Sequence, residues 1–409
     1  MNLDWKKISL IALIIGSAIL MGIFIYYIFF KTILPTTPPK ENIISTTTTT
    51  GLPISGTSTK PINTSATPIT TISTTTLGTT TIVTTTQLTK ADLYKNLATN
   101  DFSSFTTIDK NGNLLYLNTI DGKFYRLDSN GKKIALAKET FLGAQNVTWS
   151  NGREKAIIEF PDGAKMIYDF VNNQERVIPK HWEDFSFSSS DDQIVFKSLG
   201  NDVTNRYLAV AKADGSQAKI IENVGENDNT VQSNWAPNNQ IIATYTEGAG
   251  LDKTNIYFVG QNKENFKLMS VEGRGFEGQW SPDGNYILYS VYNSASNYNP
   301  ELYIGSANVN SVGDNRVNLN LNTWTDKCTF GTNNTLFCAV PRSLSMGAGF
   351  DRTTSNETPD DIYKIDLTTG NKTPVLSNYA DVTISRLLFT NNQLFFTDNN
   401  FNTYKLDLK

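Results

Sequence analysis

A pattern of strand, tight turn and strand returns seven times between about residue 100 and the carboxyl end, and few folds accommodate such repetition. Its clearest copy is GQWSPDGNYILYS, Gly278 to Ser290. Pro282 presets φ for the turn, Asp283 tolerates it and Gly284 supplies a positive φ. Tyr286–Ser290 then alternates as a half-buried strand does. Related segments centre on Ile108, Trp149, Phe187, Trp235, Phe330 and Phe389, which with Trp280 give anchors 41, 38, 48, 45, 50 and 59 residues apart. Between the anchors a second pair of strands recurs, in GKFYRLDSNGKKIAL, NRYLAVAKADGSQAKII, TNIYFVGQNKENFKLM and DDIYKIDLTTGNKTPVL. Four strands in each repeat of 40–50 residues mark a propeller blade. No helical stripe competes past about residue 95. The expected fold is an all-β, seven-bladed propeller with four-stranded antiparallel blades.

The ring has a predictable seam. The last repeat supplies three strands, ending at Asn402–Lys409. Ahead of the first repeat, LYKNLATNDFSSFT aligns with VLSNYADVTISRL, Val375 to Leu387, in which Val375–Leu376 ends an outer strand. Leu93–Ala98 is therefore expected as the missing outer strand of the last blade, removing an open edge and setting the count at seven rather than six.

These repeats resemble the TolB-like, or PD40, WD40-like propeller family, whose signature is an aromatic-Ser-Pro-Asp-Gly turn between two strands. Trp280–Gly284 matches it fully; Trp235-Ala-Pro-Asn-Asn and Trp149-Ser-Asn-Gly match in part. The resemblance covers residues 91–409. It implies the fold, and a role among binding modules or accessory domains of peptidases. The chain has no hydrolase domain, so the binding role is the one that carries over.

The amino-terminal part reads differently. Residues 1–7 form a short tail, expected in the cytoplasm, and Ile8–Phe30 is an uninterrupted run of 23 residues without a charge. At about 1.5 Å per residue such a helix spans roughly 35 Å, enough for a hydrocarbon core of about 30 Å. Trp5 precedes it and Tyr26 and Tyr27 lie near its far end, as interfacial aromatics do. No small-x-small cleavage site follows Phe30, which favours an uncleaved anchor over a signal peptide. Lys6 and Lys7 favour a cytoplasmic amino end and a propeller outside, with Lys31 and Lys40 partly offsetting them. Residues 31–90 are a Thr/Pro-rich stalk, in which 22 of the 51 residues from Thr36 to Thr86 are threonine. Too few large apolar side chains are present to offset the entropy of ordering it. It resembles the stalks of surface proteins, which can carry O-glycans, and an inert spacer is the plainer reading.

Charge and motifs narrow the chemistry. Residues 1–90 carry a formal +4 and the remainder −8. An acidic globular part argues against nucleic acid, whose phosphates need a basic face. Cys328, Cys338 and His181 are the only residues of their types, too few and too scattered for a zinc site; His181 reads as structural, beside Trp182. If Gly278 faces Leu288 across its turn, then by offset Cys328 faces Cys338. A disulfide there is feasible for a close pair and permitted outside the cytoplasm; two buried thiols are the alternative. Gly273-Arg-Gly-Phe-Glu-Gly278 has the dinucleotide-binding spacing, but it leads into a strand rather than opening a helix. A Ser-His-Asp triad has only His181 to draw on, and no nucleophile elbow or EF-hand loop is present. No catalytic residue and no cofactor is assigned, and the chain is expected not to be an enzyme. The other reading is a carboxylate-based glycosidase or lyase at the channel, since paired acids carry no fixed sequence spacing.

Surface loops supply the remaining candidates. The connections between second and third strands are long in blades 4 to 6: Thr246–Lys253, Tyr292–Pro300 and Pro341–Pro359. They gather Tyr292, Tyr298, Arg342, Phe350, Asp351 and Arg352 on one face. Long loops on a rigid scaffold commonly carry binding, and aromatic and arginine residues dominate interaction hot spots. Trp149, Trp235 and Trp280 are expected in the core. The reading is a membrane-tethered, extracytoplasmic propeller that binds an envelope or surface protein, or a wall glycan.

Overall fold

The computed structural model describes residues 102–128, 131–308, 310–377 and 381–408, with the strand pairs Thr75–Thr76, Thr79–Thr80 and Lys95–Asn96. The apolar run Ile8–Phe30, the tail before it and nearly all of the stalk lie outside the described residues. Among those described, no helix is long and apolar enough to cross a membrane.

Seven four-stranded antiparallel sheets follow one another from residue 103 to residue 407. Their first strands are Ser103–Ile108, Asn146–Trp149, Trp182–Phe187, Val231–Ser233, Arg274–Trp280, Cys328–Phe330 and Ile384–Thr390. First strands touch between blades 1 and 2, 2 and 3, 3 and 4, 6 and 7, and 7 and 1, and that of blade 5 meets the short helix Thr325–Lys327 leading into blade 6, so they are the innermost strands around a central channel. Blade 7 takes its fourth strand from the other end of the ring: Lys95 pairs with Lys405 and Asn96 with Tyr404. The seam is where the sequence alignment puts it.

The core is divided as the blades are. Seven apolar clusters each join two adjacent blades, from Phe124 and Tyr168 between blades 1 and 2 to Leu114, Tyr116 and Phe395 between blades 1 and 7. Trp235 and Trp280 are buried in such junctions, as expected. Trp149 is half-buried, packed against its cluster and stacked on Phe170. Trp182 stacks on Phe196, while its neighbour His181 is exposed.

The turns joining first and second strands are stitched to one another. The Asp191 carboxylate accepts from the backbone N–H of Asn151 and Gly152 in the preceding blade, both at 2.6 Å. Asn238 Nδ2 donates to the Gly284 carbonyl at 3.0 Å. Gly284 has φ +69°, and a Cβ there would meet Asn238 N at 2.8 Å, so both backbone and neighbour require glycine.

Two local expectations are corrected. Gly278 faces Tyr289, not Leu288, because the turn from Ser281 to Tyr286 holds one residue more than its counterpart from Gly331 to Thr335. Cys328 does face Cys338, owing to the shorter turn of blade 6, and the two are joined in a disulfide. The segment Thr246–Lys253 is not an open loop. Strands Ala243–Gly250 and Lys253–Val259 run on past the sheet as a hairpin with Leu251 and Asp252 at its tip, since backbone pairing does not require apolar side chains.

Candidate functional site

A turn between first and second strands and a loop between second and third strands leave opposite ends of the second strand. The channel therefore has a loop-side mouth and a turn-side mouth, and their charges are arranged differently.

On the loop side, blades 4, 5 and 6 are knitted together. Asp252 at the hairpin tip accepts from Ser294 N and from Ser294 Oγ. Asn297 and Tyr298 carbonyls accept from Gly347 N (2.9 Å) and Gly349 N (2.8 Å) of the blade 6 loop. That loop lies flat on Tyr292: a Cβ on Gly349 would stand 2.5 Å from the Tyr292 Cβ. Phe350 is thereby held against Tyr292 and Tyr298, with ring centroids 4.6 and 4.9 Å away. The sequence-selected aromatics thus meet in one cluster. Phe350 remains 55% exposed and Met346 79%, and Leu251 on the adjoining hairpin is 84% exposed.

The charged candidates are engaged within the protein. Arg342 pairs with Asp361 at 2.9 Å and Asp381 at 3.2 Å. Burial pulls its pKa down, but the two carboxylates prevail and hold it above the ordinary value. Arg352 pairs with Asp326 at 2.7 Å and lies over the Trp324 ring. The Asp351 carboxylate accepts from Thr353 N and caps the short helix Arg352–Ser355. Beneath them Lys327 and Asp360 form a buried pair at 2.8 Å, and Asp360 also accepts from Ile384 N at 2.6 Å. Burial lowers Lys327 and raises Asp360, each opposed by its partner's charge.

Inside the ring, burial pushes the half-buried Glu277 carboxyl up; Asp326 adds to this and Arg352 opposes it. An acid held above its usual range near an arginine-paired carboxylate is a starting point for proton transfer.

The turn side was not selected from the sequence. A cavity of about 480 Å³ there is lined by the turn residues Asn151, Arg153 and Pro237, by Trp235 just past the blade 4 inner strand, and by inner-strand residues that include Trp149, Gln279, Trp280 and Arg386. Its lining contains two arginines and no carboxylate. An arginine within an otherwise apolar inner strand, as Arg386 is in RLLFT, was the available signal.

No protein-family profile matches the sequence, and no curated protein does so either. Solved structures do match. The uncharacterized protein lmo1340 from Listeria monocytogenes EGD-e is similar with a TM-score of 0.51 and 14% identity, over 76% of this chain and 95% of that one. An oligogalacturonate lyase in complex with manganese is similar with a TM-score of 0.46 and 13% identity, over 75% of this chain and 89% of that one. TolB from Acinetobacter baumannii is similar with a TM-score of 0.42 and 16% identity, over 70% of this chain and 63% of that one. At such identities the likeness speaks to the fold alone: this is a seven-bladed propeller, and its neighbours include TolB. The expectation that the chain is not an enzyme is withdrawn. Structures named as oligogalacturonate lyases are among those similar to it, and the missing motifs of other folds do not by themselves separate a binding propeller from a catalytic one.

Proposed function

We propose that this chain is a membrane-tethered propeller of the TolB-like, PD40 type, acting outside the cytoplasm as an interaction module. Its loop face over blades 4 to 6 takes an envelope or surface protein, or a wall glycan. The observation that carries this reading is the Phe350 platform. Main-chain bonds from Gly347 and Gly349 fix the loop on blade 5, so Phe350 and Met346 are exposed on an ordered surface and need little ordering on contact. The tether rests on the 23-residue apolar run Ile8–Phe30, and the outward placement on Lys6, Lys7 and the Thr-rich stalk.

The test uses the full chain in nonionic detergent, immobilised, beside a Met346→Ser, Phe350→Ser variant of equal melting temperature. Each is offered a detergent extract of native membranes and, separately, isolated wall polysaccharide. Truncating a central aromatic typically costs about 2 kcal/mol or more, about thirtyfold in affinity. Retention of a component of either fraction, lost in the variant, supports the reading and names the ligand class. Equal retention by both chains overturns it.

A further inference from the structure

The cavity on the turn side has features that packing alone does not account for. Arg153 is fixed in place: its Nε donates to Thr107 Oγ1 at 2.7 Å, and its Nη1 donates to the Ser150 and Asn151 carbonyls at 2.6 and 2.9 Å. These neutral acceptors leave its Nη2 with no hydrogen bond among the described residues. The carboxylates that act on Arg153 from a distance are occupied elsewhere. Asp191 accepts from Asn151 and Gly152, and Asp109 accepts from the backbone N–H of Asn111 and Asn113.

Arg386 is barer still. Among the described residues it makes no hydrogen bond and no ion pair, and Asp326, the acid that acts on it, is paired with Arg352. Its side chain is open to channel water yet enclosed by the ring, and burial lowers its pKa. Arg153 feels the Arg386 charge as a repulsion. Guanidinium groups stay protonated in proteins, so the cavity holds two like charges with no carboxylate in its lining.

Two of the lining residues also carry a polar atom without a partner among the described residues. Trp149 and Trp280 donate their indole N–H to backbone carbonyls of the preceding blade, Phe105 at 2.8 Å and Asn234 at 3.2 Å. Trp235 breaks that pattern: its Nε1 is buried without an acceptor, although the residue is only 6% exposed. Gln279 Oε1 is likewise buried without a donor. Both atoms are closed to solvent and lie behind the cavity surface rather than on it. A cavity of this size lies in the range of small-molecule sites.

We infer that this cavity is a binding site for a small oxyanion, a carboxylate or phosphate group, held between Arg153 and Arg386. The anion faces both cations and accepts from Nη2 of Arg153 and from the Arg386 guanidinium. The site is on the opposite side of the ring from the proposed loop-face contact and does not depend on it.

Tryptophan emission reports on the site, since Trp149, Trp235 and Trp280 line it. The full chain in nonionic detergent is titrated with inorganic phosphate, with gluconate, and with glucose as the uncharged control; calorimetry provides the second readout. A saturable response to phosphate or gluconate, weakened by added salt and missing with glucose, is expected, and the preferred anion tells a phosphate-bearing ligand from a carboxylate. Arg386→Gln weakens that anion about tenfold or more without lowering the melting temperature, because Arg386 makes no bond to the protein. Arg386→Lys keeps the positive charge without the planar guanidinium and recovers part of that affinity. No saturable response to either anion, an equal response to glucose, or wild-type affinity in both variants overturns the site.

Discussion

The two mouths of the channel hold similar side chains in opposite circumstances. On the loop side every charged residue singled out from the sequence is tied to another part of the protein: Arg342 to Asp361 and Asp381, Arg352 to Asp326, Asp351 to its own helix end. On the turn side Arg153 and Arg386 face a cavity without a carboxylate in its lining. A charge that looks functional in a loop is holding the loop in place, and a charge that looks incidental in a strand is the one available to a ligand. Electrostatic availability is a property of the neighbours.

The sharpest way to break this contrast is to remove one charge from each side. Asp360→Ala leaves Lys327 buried without its partner and Ile384 N without an acceptor, and is expected to lower stability by about 3–5 kcal/mol. Chemical denaturation followed by tryptophan emission measures it, and a loss no larger than that of Arg386→Gln would erase the distinction. Next in size is the Cys328–Cys338 bond beside that pair. Its reduction releases a short loop and is expected to cost about 2–3 kcal/mol, read as a fall in melting temperature with reductant that a Cys338→Ala variant does not show. The smallest effect is acid sensitivity. Hydroxyls of Ser190 and Ser188 hold Asp192 below its usual range, and backbone N–H groups of Thr369 and Thr368 do the same for Asp366. A depressed folded pKa gives stability that is complete above the unfolded value of about 4 and is lost as pH falls through the folded one. The raised Asp360 and Glu277 act in the other sense, their penalty fading as they protonate. Stability measured by denaturant midpoint should fall between pH 5 and 2.5; a steady rise over that range would put the balance with the raised pair.

Much of the ring was legible because its signals are local. Pro282, Asp283 and Gly284 specify a turn by backbone preference alone, and aromatic anchors recur at blade spacing. The seam was legible because Leu93–Ala98 aligns with a segment containing an outer strand. What failed was finer than one residue of turn length. The alignment expected Gly278 opposite Leu288, and an extra turn residue moved the partner to Tyr289. The blade 4 hairpin was missed because Thr246–Gly250 carries no alternating apolar pattern, while main-chain bonds to the strand beginning at Lys253 suffice to extend it. Of the candidate sites, the Tyr292, Tyr298 and Phe350 cluster was legible as a set of long loops. The Arg153 and Arg386 cavity was not, since residues from blades 2 and 7 meet only once the circle is complete. The exclusion of enzymes failed for a related reason: it searched for motifs of other folds, whereas a propeller gathers its side chains from separate blades.

The bond between Lys95–Asn96 and Thr403–Asp407 has a mechanical meaning as well as a topological one. Tension on the chain ahead of Lys95 reaches the circle at a join two residue pairs wide before it reaches any strand of the first six blades. A pull from that side would unfasten the clasp while leaving the links whole, and slack would let it fasten again.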